Sequence, residues 1–182
     1  MAIRDAYEKF QPGMVSERIR IIDYLEFLHY PHTTISKWVT SAIDLSSAGT
    51  LTFAEYVQLN CYYSLFARKD FIRFIFGCMD AGSKGFLTKA QFCELCEILG
   101  EGASRSIKLW QIQFETFCNQ KLNTIFLDGF DKFILNNPSA LWMAQSLQRA
   151  FMNHNLGEEY WDKKMNQFIQ QRKDMDVAYM KG

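Results

Sequence analysis

The chain has 182 residues, 48% hydrophobic and 22% charged, a composition that supports a buried core and excludes wholesale disorder. Its 20 basic and 20 acidic residues cancel, which leaves neither the basic excess of nucleic-acid binding nor the acidic excess of several filled calcium sites. Five cysteines (Cys61, Cys78, Cys93, Cys96, Cys118) are an odd number and "MAIRDAYEKF" is charged where a leader would be apolar, so a reducing, cytoplasmic setting is expected.

In chain order, "SERIRIIDYLEFLHY" (16–30) carries Ile19, Ile21, Ile22, Leu25 and Leu28 and predicts a dense apolar helix. "DLSSAGTLTFAEY" begins at Asp44 and "DAGSKGFLTKAQF" at Asp80, 36 residues later. Both have Asp first, Gly sixth, Leu eighth, Thr ninth and an aromatic residue thirteenth. A third copy, "CNQKLNTIFLDGF", starts 38 residues further on at Cys118. It keeps Ile125 eighth and Phe130 thirteenth, with Asn123, the next best residue for a positive-φ turn, in place of glycine. The flanks predict helices: Tyr56, Leu59, Tyr63 and Phe66 after the first copy, and Ile72, Ile75, Phe76 and Met79 before the second. Phe92, Leu95, Cys96 and Leu99 follow the second, and Ile107, Trp110, Phe114 and Phe117 precede the third. "NNPSALWMAQSLQRAF" then predicts a new helix (139–152), with Asn137 as N-cap and Pro138 at its first position. A break at "NHNLG" (153–157) leads to a last helix (157–172) with Trp161, Met165, Phe168 and Ile169 on one face, and the polar tail "QQRKDMDVAYMKG" is expected to fray.

Helix, twelve-residue loop, helix, three times at nearly constant period, resembles the EF-hand superfamily over about residues 34–135. The resemblance implies an all-α fold of paired EF-hands, each pair joined by a short ladder at the eighth loop position. Three recognisable hands therefore imply a fourth. Counting 36 residues back from Asp44 puts Glu8 first, Gly13 sixth, Val15 eighth and Ile19 twelfth, a decayed hand over residues 5–30. The rival reading is a plain helical hairpin whose partner lies near His154. The expected organisation is an N-terminal lobe (1–66: decayed hand 5–30, hand 34–66), a second lobe of two degenerate hands (67–135), and a C-terminal helical extension and tail (136–182).

Calcium takes six to eight oxygens, and an EF-hand loop supplies them from positions 1, 3, 5, 7, 9 and 12, the last a bidentate Glu. By resemblance these are Asp44, Ser46, Ala48, the Thr50 carbonyl, Thr52 (through water) and Glu55 in the first clear loop, where Ala48 offers no side-chain ligand. The expectation is either a loop held by Gly49 and the Asp44 cap without metal, or one weakly bound Ca²⁺; no other cofactor is expected. In the second loop Asp80 is the only carboxylate, Gln91 closes it, and Lys84 puts a positive charge where an oxygen belongs. A unit charge about 5 Å from Ca²⁺ is repelled by a few kcal/mol. The third loop offers Cys118, Gln120, Leu122 and Gly129, which excludes calcium there.

"CELC" (93–96) lacks the second pair or histidines that zinc needs, so Cys96 reads as core and Cys93 as near-surface; "HYPH" (29–32) reads as a connector. No phosphate loop, GxSxG or HExxH is present, and no enzyme is expected. No apolar run approaches a membrane span, Ala2 stands where myristoylation needs glycine, and "YMKG" is no prenylation box, so no membrane anchor is expected. The expected function is a calcium-independent interaction or structural protein that holds an amphipathic partner helix or docks in a cytoskeletal assembly. By resemblance such assemblies include cilia and flagella. Alternatives are a calcium-responsive regulatory subunit, similar to calcineurin B or neuronal calcium sensors, working through Asp44–Glu55, and a metal-independent subunit of a phosphatase or kinase.

Overall fold

The computed structural model describes residues 4, 7, 8, 18–44, 46–80, 82–101 and 107–179, with side chains as far as Gln171. The chain is mostly helical, and its strands form two short antiparallel ladders. It divides into two compact units: Met1–His32, Val39–Ala67 and Leu147–Gly182 make one, and Thr33–Trp38 with Arg68–Ser146 make the other. Among the described residues no helix is long and apolar enough to cross a membrane.

In the first unit, strand β1 (Ile19–Arg20) pairs with β2 (Thr50–Leu51), Ile19 facing Leu51 and Arg20 facing Thr50. Ile19 and Leu51 are both 0% exposed, so the ladder is a core element. Helix Ile21–Phe27 follows β1 directly and ends at His29, in the left-handed region at φ 52, with the Tyr30 N–H donating back to the Leu25 carbonyl. Helix Phe53–Ser64 starts at a capping box and buries Tyr56, Leu59 and Tyr63. The C-terminal chain completes this core. Leu147 and Phe151 are wholly buried, and the Phe151 ring lies 5.8 Å from that of Tyr24 and 5.6 Å from that of Tyr63. The buried Gln148 amide donates to the carbonyls of Tyr63, Ser64 and Phe66, where helix Phe53–Ser64 stops.

In the second unit, β3 (Phe86–Thr88) pairs with β4 (Thr124–Phe126), Leu87 facing Ile125, so the eighth residues of the second and third repeats meet. Helix Arg68–Met79 buries Ile72, Ile75, Phe76 and Met79, and helix Lys89–Leu99 buries Phe92, Leu95, Cys96 and Leu99, the positions that the spacing predicts. With Phe114, Phe130 and Phe133 they form an aromatic core; the Phe92 ring lies 5.5 Å from Phe114 and 5.0 Å from Phe133.

Several expectations need correction. Ile19 belongs to a strand rather than to the apolar helix, and Ile22 is 47% exposed. The residue facing Leu51 is Ile19, so the count that put Val15 eighth and Ile19 twelfth runs four residues early; Gly13 and Val15 themselves lie outside the described residues. The single helix expected over Ile107–Phe117 is two, Ile107–Gln111 and Phe114–Phe117. Tight three-residue turns close between them, and the Gln113 side chain is held by Asn137. That pairing uses the Asn137 amide, which makes no cap; Pro138–Leu141 is a 3₁₀ turn and the α-helix begins at Trp142. The last two helices run Trp142–Asn155 and Glu158–Tyr179, separated at Gly157 (φ 85), so the polar tail expected to fray is helical to Tyr179.

Candidate functional site

The first repeat, Asp44–Glu55, sorts its five candidate ligands into two hydrogen-bonded groups, Asp44 with Ser46, and Thr50 and Thr52 with Glu55 and Arg18. Asp44 is buried, and its carboxylate accepts from the Ser46 hydroxyl (2.8 Å), the Ala48 N–H (3.3 Å) and the Gly49 N–H (2.7 Å). Burial works to raise its pKa, but these hydrogen bonds and the positive Arg18 outweigh it and hold the carboxyl below its ordinary value. Gly49 turns the loop at φ 68. At the far end, the Thr52 N–H (2.7 Å) and hydroxyl (2.9 Å) both donate to Glu55 Oε2. Arg18 then reaches in from just before β1. Its Nε donates to Thr50 Oγ1 at 2.7 Å, and its Nη2 to the Thr50 carbonyl at 3.2 Å and to Glu55 Oε2 at 3.4 Å.

The second repeat, Asp80–Gln91, keeps the same turn with different closure. Asp80 accepts from the N–H groups of Lys84 (2.9 Å) and Gly85 (2.7 Å), and Gly85 turns the chain at φ 79. Gln91 Oε1 caps the Thr88 N–H at 3.0 Å, while its Nε2 donates to the Met79 carbonyl at 2.8 Å. One neutral amide thus ties the start of the following helix to the end of the preceding one, which a carboxylate cannot do because it only accepts.

In the third repeat, Cys118–Gly129, Asn123 supplies the turn at φ 50, as its residue type predicts. Gly129 is where the helices approach: a Cβ built there would lie 2.4 Å from the Phe117 carbonyl oxygen and 3.1 Å from Ile125 Cγ1. No side chain fits in that space.

Several of the positions that a calcium ion would use are engaged otherwise or carry no oxygen. In the first loop the Thr50 carbonyl and one Glu55 oxygen are engaged by Arg18, and Ala48 offers no oxygen. In the second, the closing group is an amide with its donor on a carbonyl; in the third, it is glycine. Among the described residues no three His, Cys, Asp or Glu side chains gather as a metal site. Cys96 is wholly buried, with burial pushing its thiol up to about 12, and Cys93 is half-buried. His29 ends a helix.

The first unit also carries an open apolar groove of about 600 Å³ between helices Phe53–Ser64 and Glu158–Tyr179, lined by Val57, Cys61, Leu65, Leu156, Trp161 and Phe168. The Trp161 side chain is 3% exposed, and its indole N–H finds no hydrogen-bond partner among the described residues. Trp142, in contrast, is 60% exposed.

Sequence reasoning missed Arg18, the Gln91–Met79 closure and the Gly129 contact. Only Gly129 left a sign, a glycine where the other repeats carry Glu55 and Gln91. No protein-family model matches the chain, and no curated protein matches its sequence.

Proposed function

We propose that the chain is a non-enzymatic interaction protein of EF-hand type whose loops hold their shape without calcium, and which offers apolar helical surface to a protein partner. What supports this most is the treatment of the twelfth residue of each repeat. Glu55 is held by Thr52 and Arg18, Gln91 by Thr88 and Met79, and Gly129 by contact with Phe117. An EF-hand uses metal to tie its exit helix to the loop, and here the chain's own groups do so. The pairings of Leu87 with Ile125 and of Ile19 with Leu51 are compatible with the short ladders such pairs would form, and on this reading β1 belongs to the decayed fourth hand. The first pair's apolar face is partly filled by Leu147 and Phe151, so the partner surface is the remaining groove around Val57 and Trp161, suited to an amphipathic helix. By resemblance the setting is cytoplasmic and cytoskeletal, cilia and flagella included.

Amide NMR spectra in EGTA and in 2 mM CaCl₂ test the calcium half. Superimposable folded spectra support it. Shifts centred on Gly49 and Glu55 at micromolar calcium would replace it with a regulatory subunit working through Asp44–Glu55. The partner half is tested by affinity capture in EGTA with wild type and a folded Val57→Glu variant. Retention by wild type and loss in the variant supports the groove; capture that needs calcium sinks the proposal.

A further inference from the structure

Arg18 and Arg20 flank Ile19 but have different partners. Arg20 is spent locally on Asp23, with both oxygens at 2.7 Å. Arg18 spans more than thirty residues of sequence to reach Thr50 and Glu55. The pairing of Ile19 with Leu51 places Arg18 beside the loop, within reach of Thr50 and Glu55. What it meets there is an unusual target. The Thr50 backbone carbonyl and the Glu55 carboxylate are the two oxygens that positions 7 and 12 of such a loop present to a cation. A guanidinium carries only donors and a fixed positive charge, so it satisfies the lone pairs that a hard divalent ion would take. With Arg18 on both oxygens, fewer of their lone pairs are free for a metal, and the fixed positive charge repels a divalent ion held inside the loop.

The geometry points to Arg18 as the resident cation of the loop Asp44–Glu55: its guanidinium occupies the place of a divalent ion and keeps a latent metal site closed. This rests on the reading of Asp44–Glu55 as a cation loop, and not on the identity of any partner. Arg18 also contributes to the lowered pKa of Asp44, at the opposite end of the loop.

The test compares wild type, Arg18→Gln, Arg18→Lys and Arg18→Gln/Glu55→Gln as full chains. Melting is followed in EGTA and in 5 mM CaCl₂, and titration with terbium(III), an oxygen-seeking cation of similar size, is read by aromatic-sensitised luminescence. Wild type and Arg18→Lys are expected to melt at the same temperature with and without calcium. Arg18→Gln is expected to melt about 2–4 °C lower in EGTA, to recover in calcium, and to bind terbium at least tenfold more tightly than wild type. The double variant loses both gains. Calcium stabilisation of the wild type, an Arg18→Gln variant that melts with wild type, or one that is destabilised without gaining a metal response each overturns the proposal. The partner capture in EGTA reads independently of all these outcomes, so failure here leaves the interaction reading standing.

Discussion

Asn155→Leu should destabilise the first unit by breaking up a buried polar cluster. Tyr24 and Asn60 are 0% exposed and Tyr56 is 1% exposed, so their polar atoms depend on one another. The Tyr24 hydroxyl donates to Asn60 Oδ1 at 2.6 Å, and Asn60 Nδ2 donates to the Tyr56 carbonyl at 2.7 Å. Asn155 closes the cluster: its Oδ1 accepts from the Tyr56 hydroxyl, and its Nδ2 donates to Asn60 Oδ1, the Phe151 carbonyl and the Tyr24 hydroxyl. Leucine at 155 preserves volume but removes one of the two side-chain partners of the Tyr56 hydroxyl, Tyr24 being the other. Asn60 still receives Tyr24, and the Tyr56 hydroxyl is left with its hydrogen bond to Tyr24 alone, a loss that costs about 1–3 kcal/mol. For a chain of this length 2 kcal/mol corresponds to a fall in melting temperature of about 4–8 °C. The decisive measurement is a double-mutant cycle with Tyr56→Phe by urea unfolding. Phenylalanine has no hydroxyl to lose the Asn155 bond, so Asn155→Leu should cost about 1 kcal/mol less or better in that background. Equal costs in both backgrounds, within about 0.5 kcal/mol, would refute the argument that this polar cluster ties helix Trp142–Asn155 to helices Ile21–Phe27 and Phe53–Ser64.

Burial raises the Tyr24 pKa well above its usual value and that of Tyr56 to about 12. Between about pH 10 and 12 the unfolded chain has therefore released protons that the folded one retains. Stability, complete below pH 10, should fall across that window by an amount on the order of 2 kcal/mol, and by less in Tyr56→Phe, as read from melting against pH. Asp44 acts with the opposite sign: its lowered pKa gives stability present above about pH 4 and lost as pH falls through the folded value, a loss absent in Asp44→Asn. Gly129→Ala drives a Cβ to 2.4 Å from a backbone oxygen and should cost more than about 2 kcal/mol. Gly77→Ala, in the exposed interior of helix Arg68–Met79 with nothing within 4 Å, should instead stabilise by about 0.5–1 kcal/mol. Gln91→Glu restores a carboxylate at the closing position but loses the donor to the Met79 carbonyl, so melting in EGTA should drop with no recovery in calcium, checked by calorimetry.

The second unit was far more legible in sequence than the first, for a physical reason. Leu87 and Ile125, Asn123, and the apolar positions of helices Arg68–Met79 and Lys89–Leu99 follow from periodicity and turn chemistry, which act over a few residues. The first ladder has no such markers on its N-terminal strand. Counting by a 36-residue period assumed equal spacing, whereas Ile19 and Leu51 are 32 apart. The closing devices were hidden for a related reason. Arg18 and the Asn155 cluster are contacts between residues distant in sequence, and no local pattern distinguishes Arg18 from the neighbouring Arg20, which pairs with Asp23. The helical tail was misjudged because Glu158–Tyr179 is polar on most positions, and polarity alone does not tell an exposed helix from a frayed end.

On the reading proposed here, the three loops separate two tasks that a bound ion performs together. Shaping the turn needs only a cap and a residue tolerant of positive φ, which Asp44 with Gly49, Asp80 with Gly85, and Asn123 provide. Holding the exit helix against the loop needs something that bridges the twelfth position to what precedes it. A guanidinium, an amide and a close backbone contact each meet that need, with no chemistry in common. The three differ in reversibility. A glycine packed on a carbonyl has no ligand to recover, and an amide has lost the charge that attracts a cation. Only the first loop keeps two carboxylates, opposed by one removable positive charge, so any residual calcium response of the whole chain should be governed by Arg18.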